Sequence, residues 1–118
     1  KLKETTSVLA EGYSAADLRH GPFAVVQRDF PVLSISVAGR AGRDIEDLTL
    51  WLEEQRGAHV LRVSDGAGAD LALPGDLPEP LATIPAAVRA QQVAYELALC
   101  RGLNPDAPVG LTKVTPTS

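Results

Sequence analysis

The spacing of apolar residues predicts helices and strands in alternation. Lys1 to about Gly12 reads as helix, with Leu2, Val8 and Leu9 apolar and Lys1, Glu4 and Glu11 on another face. Ser14 is positioned to cap a short second helix, Ala15 to about Arg19, by accepting from the amide of Asp17. His20-Gly21-Pro22 ends it, because proline forbids continuation. Phe23 to Val26 is short and apolar. Val32–Ala38, opened by Pro31, is β-branched and mostly apolar on one face, which predicts a strand. Gly39–Arg43 reads as a loop and Asp44 as the cap of a helix to about Arg56. Ile45, Leu48, Trp51 and Leu52 would be its buried stripe, with Gly57 as its stop. His59–Val63 predicts a second strand, Ser64–Gly68 a polar loop and Ala69–Leu73 a weak third strand. Ile84–Arg101 is the longest predicted helix, with Ile84, Val88, Tyr95 and Leu99 on the face expected to be buried. Pro85 is tolerable in its first turn and Gly102 ends it. The prolines at 105, 108 and 116 predict an extended tail.

Strands alternating with helices indicate an α/β fold: a three-layer αβα sandwich with a mainly parallel, flavodoxin-like sheet. Val32–Ala38 and His59–Val63 should be parallel neighbours. Three strands are few for such a sheet, usually of five or six. Lys1 also begins as if inside a helix, with no initiator Met and no cap. Together these features predict a partial domain, part of something longer.

Composition narrows the function. The 118 residues are 45% hydrophobic and 22% charged, which excludes wholesale disorder. Aromatics are 4%, so the core must be aliphatic. A net charge of −4 argues against a nucleic-acid binder, which would need a basic stripe. The single cysteine, Cys100, excludes an internal disulfide framework and a zinc cluster, and it favours a reduced, cytosolic setting. Cys100 itself reads as a small buried hydrophobe. No apolar run approaches the roughly 18 residues of a membrane span.

Singly, the candidate chemical groups read as ordinary. Glu4 on a helix is a solvated charge, His20 before Gly-Pro a turn residue, and Lys113 a solvated tail residue. Ser34 and Ser36 suit either hydroxyl ligands or small residues facing a helix. Gly66-Ala67-Gly68 lacks the lysine of a phosphate loop.

In combination they read differently. Lys1-Leu2-Lys3-Glu4, then Ala10-Glu11-Gly12-Tyr13-Ser14-Ala15-Ala16-Asp17-Leu18-Arg19, then His20-Gly21-Pro22, resembles the second SIS (sugar isomerase) domain of the glucosamine-6-phosphate synthase family, shared by stand-alone amino-sugar-phosphate deaminases and isomerases. The tail, Gly102 to Pro108 followed by Leu111-Thr112-Lys113-Val114-Thr115, resembles that family's closing segment. Asp17 stands where Glu is usual and Gly12 where Ala is common. The tail is nearer to the stand-alone enzymes than to the synthase.

The resemblance implies a C-terminal portion of a SIS domain over residues 1–102 and a tail or lid over 103–118. It implies Glu4 as the base that shuttles a proton between C1 and C2 of a sugar phosphate. His20 would open the sugar ring, reaching the site from the neighbouring subunit of a homodimer. Lys113 would act on the lid, and Lys1 and Thr112 would bind substrate, with Lys1 holding Glu4 ionised. It implies a cytoplasmic enzyme that isomerises or deaminates glucosamine 6-phosphate or fructose 6-phosphate, with no metal and no cofactor. The alternatives are the isomerase domain of a glutamine–fructose-6-phosphate aminotransferase, a non-catalytic phosphosugar-sensing module, or a purely structural domain. The family's Ser/Thr-rich phosphate loop has no counterpart here. The missing N-terminal SIS segment is therefore an expected partner, and this chain alone should bind a phosphosugar poorly and be inactive.

Overall fold

The computed structural model describes residues 1–111. They form α1 (Leu2–Thr6), α2 (Ala15–Arg19), a 3-10 turn (Pro22–Val25), β1 (Pro31–Ile35), α3 (Arg40–Arg56), β2 (His59–Ser64), β3 (Leu71–Ala72) and α4 (Glu79–Cys100). The chain divides into two compact units. One is Gly12–Arg89, and the other joins Lys1–Glu11 to the chain from Ala90 onward.

Gly12–Arg89 is built on a parallel sheet ordered β1-β2-β3. Pro31 pairs with His59 and Ile35 with Val63, while Val63 and Ser64 pair with Leu71 and Ala72. Proline suits the first residue of an edge strand, since it cannot donate to the ladder. Strand alternation sends residues to opposite faces. On one face, Val32 packs with Val26, Leu48 and Leu52, together with Ala15, Leu18 and Ala58. On the other, Leu33, Ile35, Val37 and Leu71 pack with Val63, Leu73 and Ala86. The first face is thus covered by α2 and α3 and the second by the start of α4. This is the three-layer parallel α/β arrangement expected from the sequence.

Some boundaries follow the sequence closely. Ser14 Oγ accepts from the Asp17 amide at 3.1 Å, and α2 spans the predicted residues. Gly57 ends α3 in the left-handed region (φ 67°), where only glycine is free of strain.

Others differ. The first helix was expected to reach about Gly12, but α1 stops at Thr6, because Ser7 turns left-handed (φ 56°). Within the turn, the Thr5 and Thr6 hydroxyls donate back to the carbonyls of Lys1 and Leu2. Trp51, expected in the buried stripe, is exposed at the surface, where Phe23 of the 3-10 turn meets it edge-to-face at 5.5 Å. β1 ends at Ile35, although the Ser36 amide still donates to Val63 O.

α3 begins at Arg40 rather than Asp44, with Gly39 (φ 139°) as N-cap. Asp44 is therefore inside the helix, and its carboxylate pairs with Arg19 at 2.9 Å. Gly42 lies so close to the segment after β1 that a Cβ there would come within 1.8 Å of Val37 O. The helix can lie this near that segment only with glycine at that position.

α4 differs most. It starts at Glu79, so Pro85 falls beyond the first turn and leaves the Leu81 carbonyl without its helical donor. The stripe expected to be buried, Ile84, Val88, Tyr95 and Leu99, is exposed. The buried stripe is alanine: Ala82, Ala86, Ala94 and Ala98. Cys100 is likewise exposed rather than buried.

No helix among the described residues is long and apolar enough to cross a membrane.

Candidate active site

The Lys1–Glu11 stretch carries the Lys-Leu-Lys-Glu run on a single helical turn. Lys1 and Glu4 are three residues apart, so the turn puts them on one face. Lys1 Nζ donates to Glu4 Oε2 at 2.9 Å. That hydrogen bond, then the charge of Lys1, holds the Glu4 carboxyl below its ordinary pKa. Glu4 is thus ionised around neutral pH, and with its side chain 46% exposed it remains reachable. An ionised, accessible carboxylate steadied by an ammonium group is suited to take and return a proton.

Side chains fasten the turn. Thr5 Oγ1 donates to Lys1 O at 3.0 Å, and Thr6 Oγ1 donates to Leu2 O at 2.6 Å. Beyond the turn, Lys3 Nζ meets Glu11 Oε1 at 2.6 Å. Thr6 is fully buried and was not among the residues singled out from the sequence. Its signal there was slight: a hydroxyl within one turn of the carboxylate.

His20 follows α2. Its backbone N–H donates to Asp17 O at 3.2 Å, Gly21 (φ 140°) turns the chain, and the residue is exposed. Glu4 belongs to one compact unit and His20 to the other. The structure therefore brings Glu4 together with Lys1, while His20 is placed only within its own unit. Lys113 and Thr112 lie outside the described residues.

Ser34 and Ser36 face α3. Ser34 bonds Thr49 at 2.7 Å and Ser36 donates to Glu46 at 3.4 Å, so the helix-facing reading accounts for both hydroxyls. They line a small cleft with Ser64, Arg62 and the Gly66–Gly68 loop. Arg62 is ion-paired to Glu53. No cluster of three metal-ligating side chains occurs among the described residues.

No family model matches the chain. The glutamine–fructose-6-phosphate aminotransferase (isomerizing) of Pyrococcus horikoshii is 36% identical over 121 residues, covering 96% of this chain and 20% of that protein. The probable enzyme of the same name from Acanthamoeba polyphaga mimivirus is 32% identical, over 97% of this chain and 19% of that protein. Among solved structures, glucosamine-6-phosphate deaminase from Thermotoga maritima superposes with a TM-score of 0.67 at 33% identity, over 94% of this chain and 33% of that one. The C-terminal domain of glucosamine-fructose-6-phosphate aminotransferase from Francisella tularensis shares the fold, with a TM-score of 0.65 at 23% identity over 87% of this chain and 31% of that one. The chain spans about a fifth of the length of the curated relatives it matches. By sequence, then, it is similar to part of the fructose-6-phosphate aminotransferases, and by sequence and fold to part of a glucosamine-6-phosphate deaminase.

Proposed function

We propose that this chain is the C-terminal part of a SIS domain in a phosphosugar isomerase or amino-sugar-phosphate deaminase. Glu4 is its proton-transfer base. The observation that carries this reading is the Lys1–Glu4 pair: a half-exposed carboxylate, kept ionised, on a helical turn.

Glu4 would take the proton from the carbon next to the substrate's carbonyl or imine, leaving an enediol or enolamine. It would then return that proton to the neighbouring carbon, so C1 and C2 exchange oxidation level with no net change in atoms. A carboxylate suffices if it is placed well. His20, contributed by the neighbouring subunit of a homodimer, would move protons on the ring and anomeric oxygens to open the cyclic sugar. Residues 103–118 would form a lid that brings Lys113 and Thr112 onto the substrate. The sugar phosphate's own phosphate would be held by a preceding SIS segment, since no Ser/Thr-rich phosphate loop lies in these residues.

A second reading makes the chain the isomerase portion of an aminotransferase that uses glutamine. The identity to enzymes of that name favours it. Both readings use the same proton shuttle and differ in the source or fate of ammonia. Ammonia released from glucosamine 6-phosphate supports the deaminase, and glutamine-dependent formation of glucosamine 6-phosphate supports the aminotransferase.

The test is Glu4→Gln in the intact enzyme. Turnover should fall by roughly a hundredfold or more while KM stays near wild type, because the shape is kept and the base removed. Retention of more than about a tenth of wild-type turnover, under about 1.4 kcal/mol of barrier, would show that Glu4 is not the base.

A further inference from the structure

We infer that Thr6 is a positioning residue for the Glu4 carboxylate: its buried hydroxyl closes the turn that carries Glu4 and fixes where the chain leaves that turn. The inference rests on Glu4 as the base.

Thr6 has no exposed surface at all. A valine of the same shape would fill that space without the cost of desolvating a hydroxyl, so packing alone does not call for threonine here. The hydroxyl is used twice. It donates to Leu2 O at 2.6 Å and accepts from the Val8 amide at 3.3 Å. The first bond runs from one end of α1 to the other and brackets Lys3, Glu4 and Thr5. The second holds the chain just after Ser7, whose left-handed backbone is unusual for a residue with a side chain.

These bonds matter because a buried hydroxyl makes them, whereas the ion pairs of Lys1 and Lys3 are solvent-exposed. Exposed pairs restrain a backbone weakly. The Lys1–Glu4 contact needs helical geometry, and Thr6 supplies the buried closure that enforces it. If the turn opens, the carboxylate moves relative to Lys1 and to any substrate. A misplacement of about 1 Å can cost on the order of a hundredfold in rate.

Four variants of the intact enzyme test this: Thr6→Val, Thr6→Ser, Thr6→Ala and, as reference, Glu4→Gln. Thr6→Val should lower kcat by about tenfold or more, with KM within about threefold of wild type, because binding is left and placement is lost. Thr6→Ser keeps the hydroxyl and should restore kcat to within about threefold of wild type. If Thr6→Val does not fold, alanine against serine makes the same comparison: both lack the methyl group, and only serine keeps the hydroxyl. Equal kcat for alanine and serine, or a loss confined to KM, overturns the positioning role. If Glu4→Gln stays active, the assignment of the base fails instead. If Glu4→Gln is inactive while Thr6→Val turns over normally, only the role of Thr6 fails.

Discussion

Gly12–Arg89 and Lys1–Glu11 are held together by different forces. In Gly12–Arg89 both faces of the sheet are sealed by aliphatic side chains, and Leu52 and Val63 are almost wholly out of water. In Lys1–Glu11 the one buried side chain is that of Thr6. Around it are threonine hydroxyl bonds and exposed ion pairs, and the stretch shares one compact unit with the chain from Ala90, where Ala94 and Ala98 are buried. Aliphatic burial tolerates small shifts and loses stability in proportion to the volume removed. A turn fixed by a few directional bonds contributes little to global stability, yet it decides where one carboxylate sits. Damage to the first region should therefore be read in unfolding, and damage to the second in turnover and its pH dependence.

The largest expected loss of stability is Leu52→Ala. Leu52 is 2% exposed and joins α3 to Val26, Leu48 and Val32. Its truncation should cost about 2–5 kcal/mol in denaturant unfolding, with turnover per folded molecule unchanged. A cost under about 0.5 kcal/mol would mean that the α3 side is not a core.

The same contrast explains how much could be read from the sequence. In the layered region local signals and tertiary burial agree. Ser14 caps α2, Gly57 stops α3, and the β-branched run after Pro31 pairs in parallel with the run after His59. Asp44 reads as a cap because it follows a glycine-rich stretch. The glycines themselves make the turn, with Gly39 as N-cap and Gly42 against Val37 O. In α4 two apolar stripes share one period, Ile84/Val88/Tyr95/Leu99 and Ala82/Ala86/Ala94/Ala98. Periodicity cannot say which is inside. Alanine lets backbones approach closely, and that stripe is the buried one. At the site, spacing puts Lys1 and Glu4 on one face, and only the family resemblance gives them a role. Thr6 was not legible, because a hydroxyl bonding back to its own helix leaves no pattern in sequence.

A smaller loss is expected at the hydroxyl pair on the α3 side. Thr49 Oγ1 has one hydrogen, which it gives to Ile45 O at 2.8 Å. Ser34 must then be the donor in the 2.7 Å bond between the two hydroxyls. Thr49→Val would leave the buried Ser34 hydroxyl without its acceptor and should cost about 1–3 kcal/mol. Adding Ser34→Ala should recover part of that. Strict additivity in the double-mutant cycle would show that the hydroxyls are not coupled.

At Lys1–Glu4 the expected signal is a shift in pH dependence. The Glu4 pKa is lowered, first by the hydrogen bond from Lys1. Whatever the pair contributes to stability is present above the ordinary carboxylate pKa and fades as pH falls through the lowered one. Lys1→Met removes the donor and the charge, so the carboxyl should titrate at higher pH. The acidic limb of kcat/KM should then move up, with the unfolding midpoint at neutral pH scarcely changed. An unmoved limb would separate Glu4 from the pH dependence of turnover.

The smallest effect should come from a residue that the periodic pattern alone would place in the core. Leu99 lies one residue beyond Ala98 on α4, and the two differ sharply in exposure, 46% against 0%. The penalty for truncating a leucine comes from apolar surface returned to water and from the cavity left behind. Leu99 already keeps nearly half its surface in water and has solvent rather than packed atoms beside it, so neither penalty is large. Leu99→Ala should cost less than about 1 kcal/mol, while Ala98→Leu, which forces extra atoms into a filled site, should cost about 1–3 kcal/mol. The pair measures which stripe of α4 is inside. If Leu99→Ala instead cost about 2 kcal/mol or more in the intact protein, the bulky stripe would have to be covered there by something other than residues 1–111.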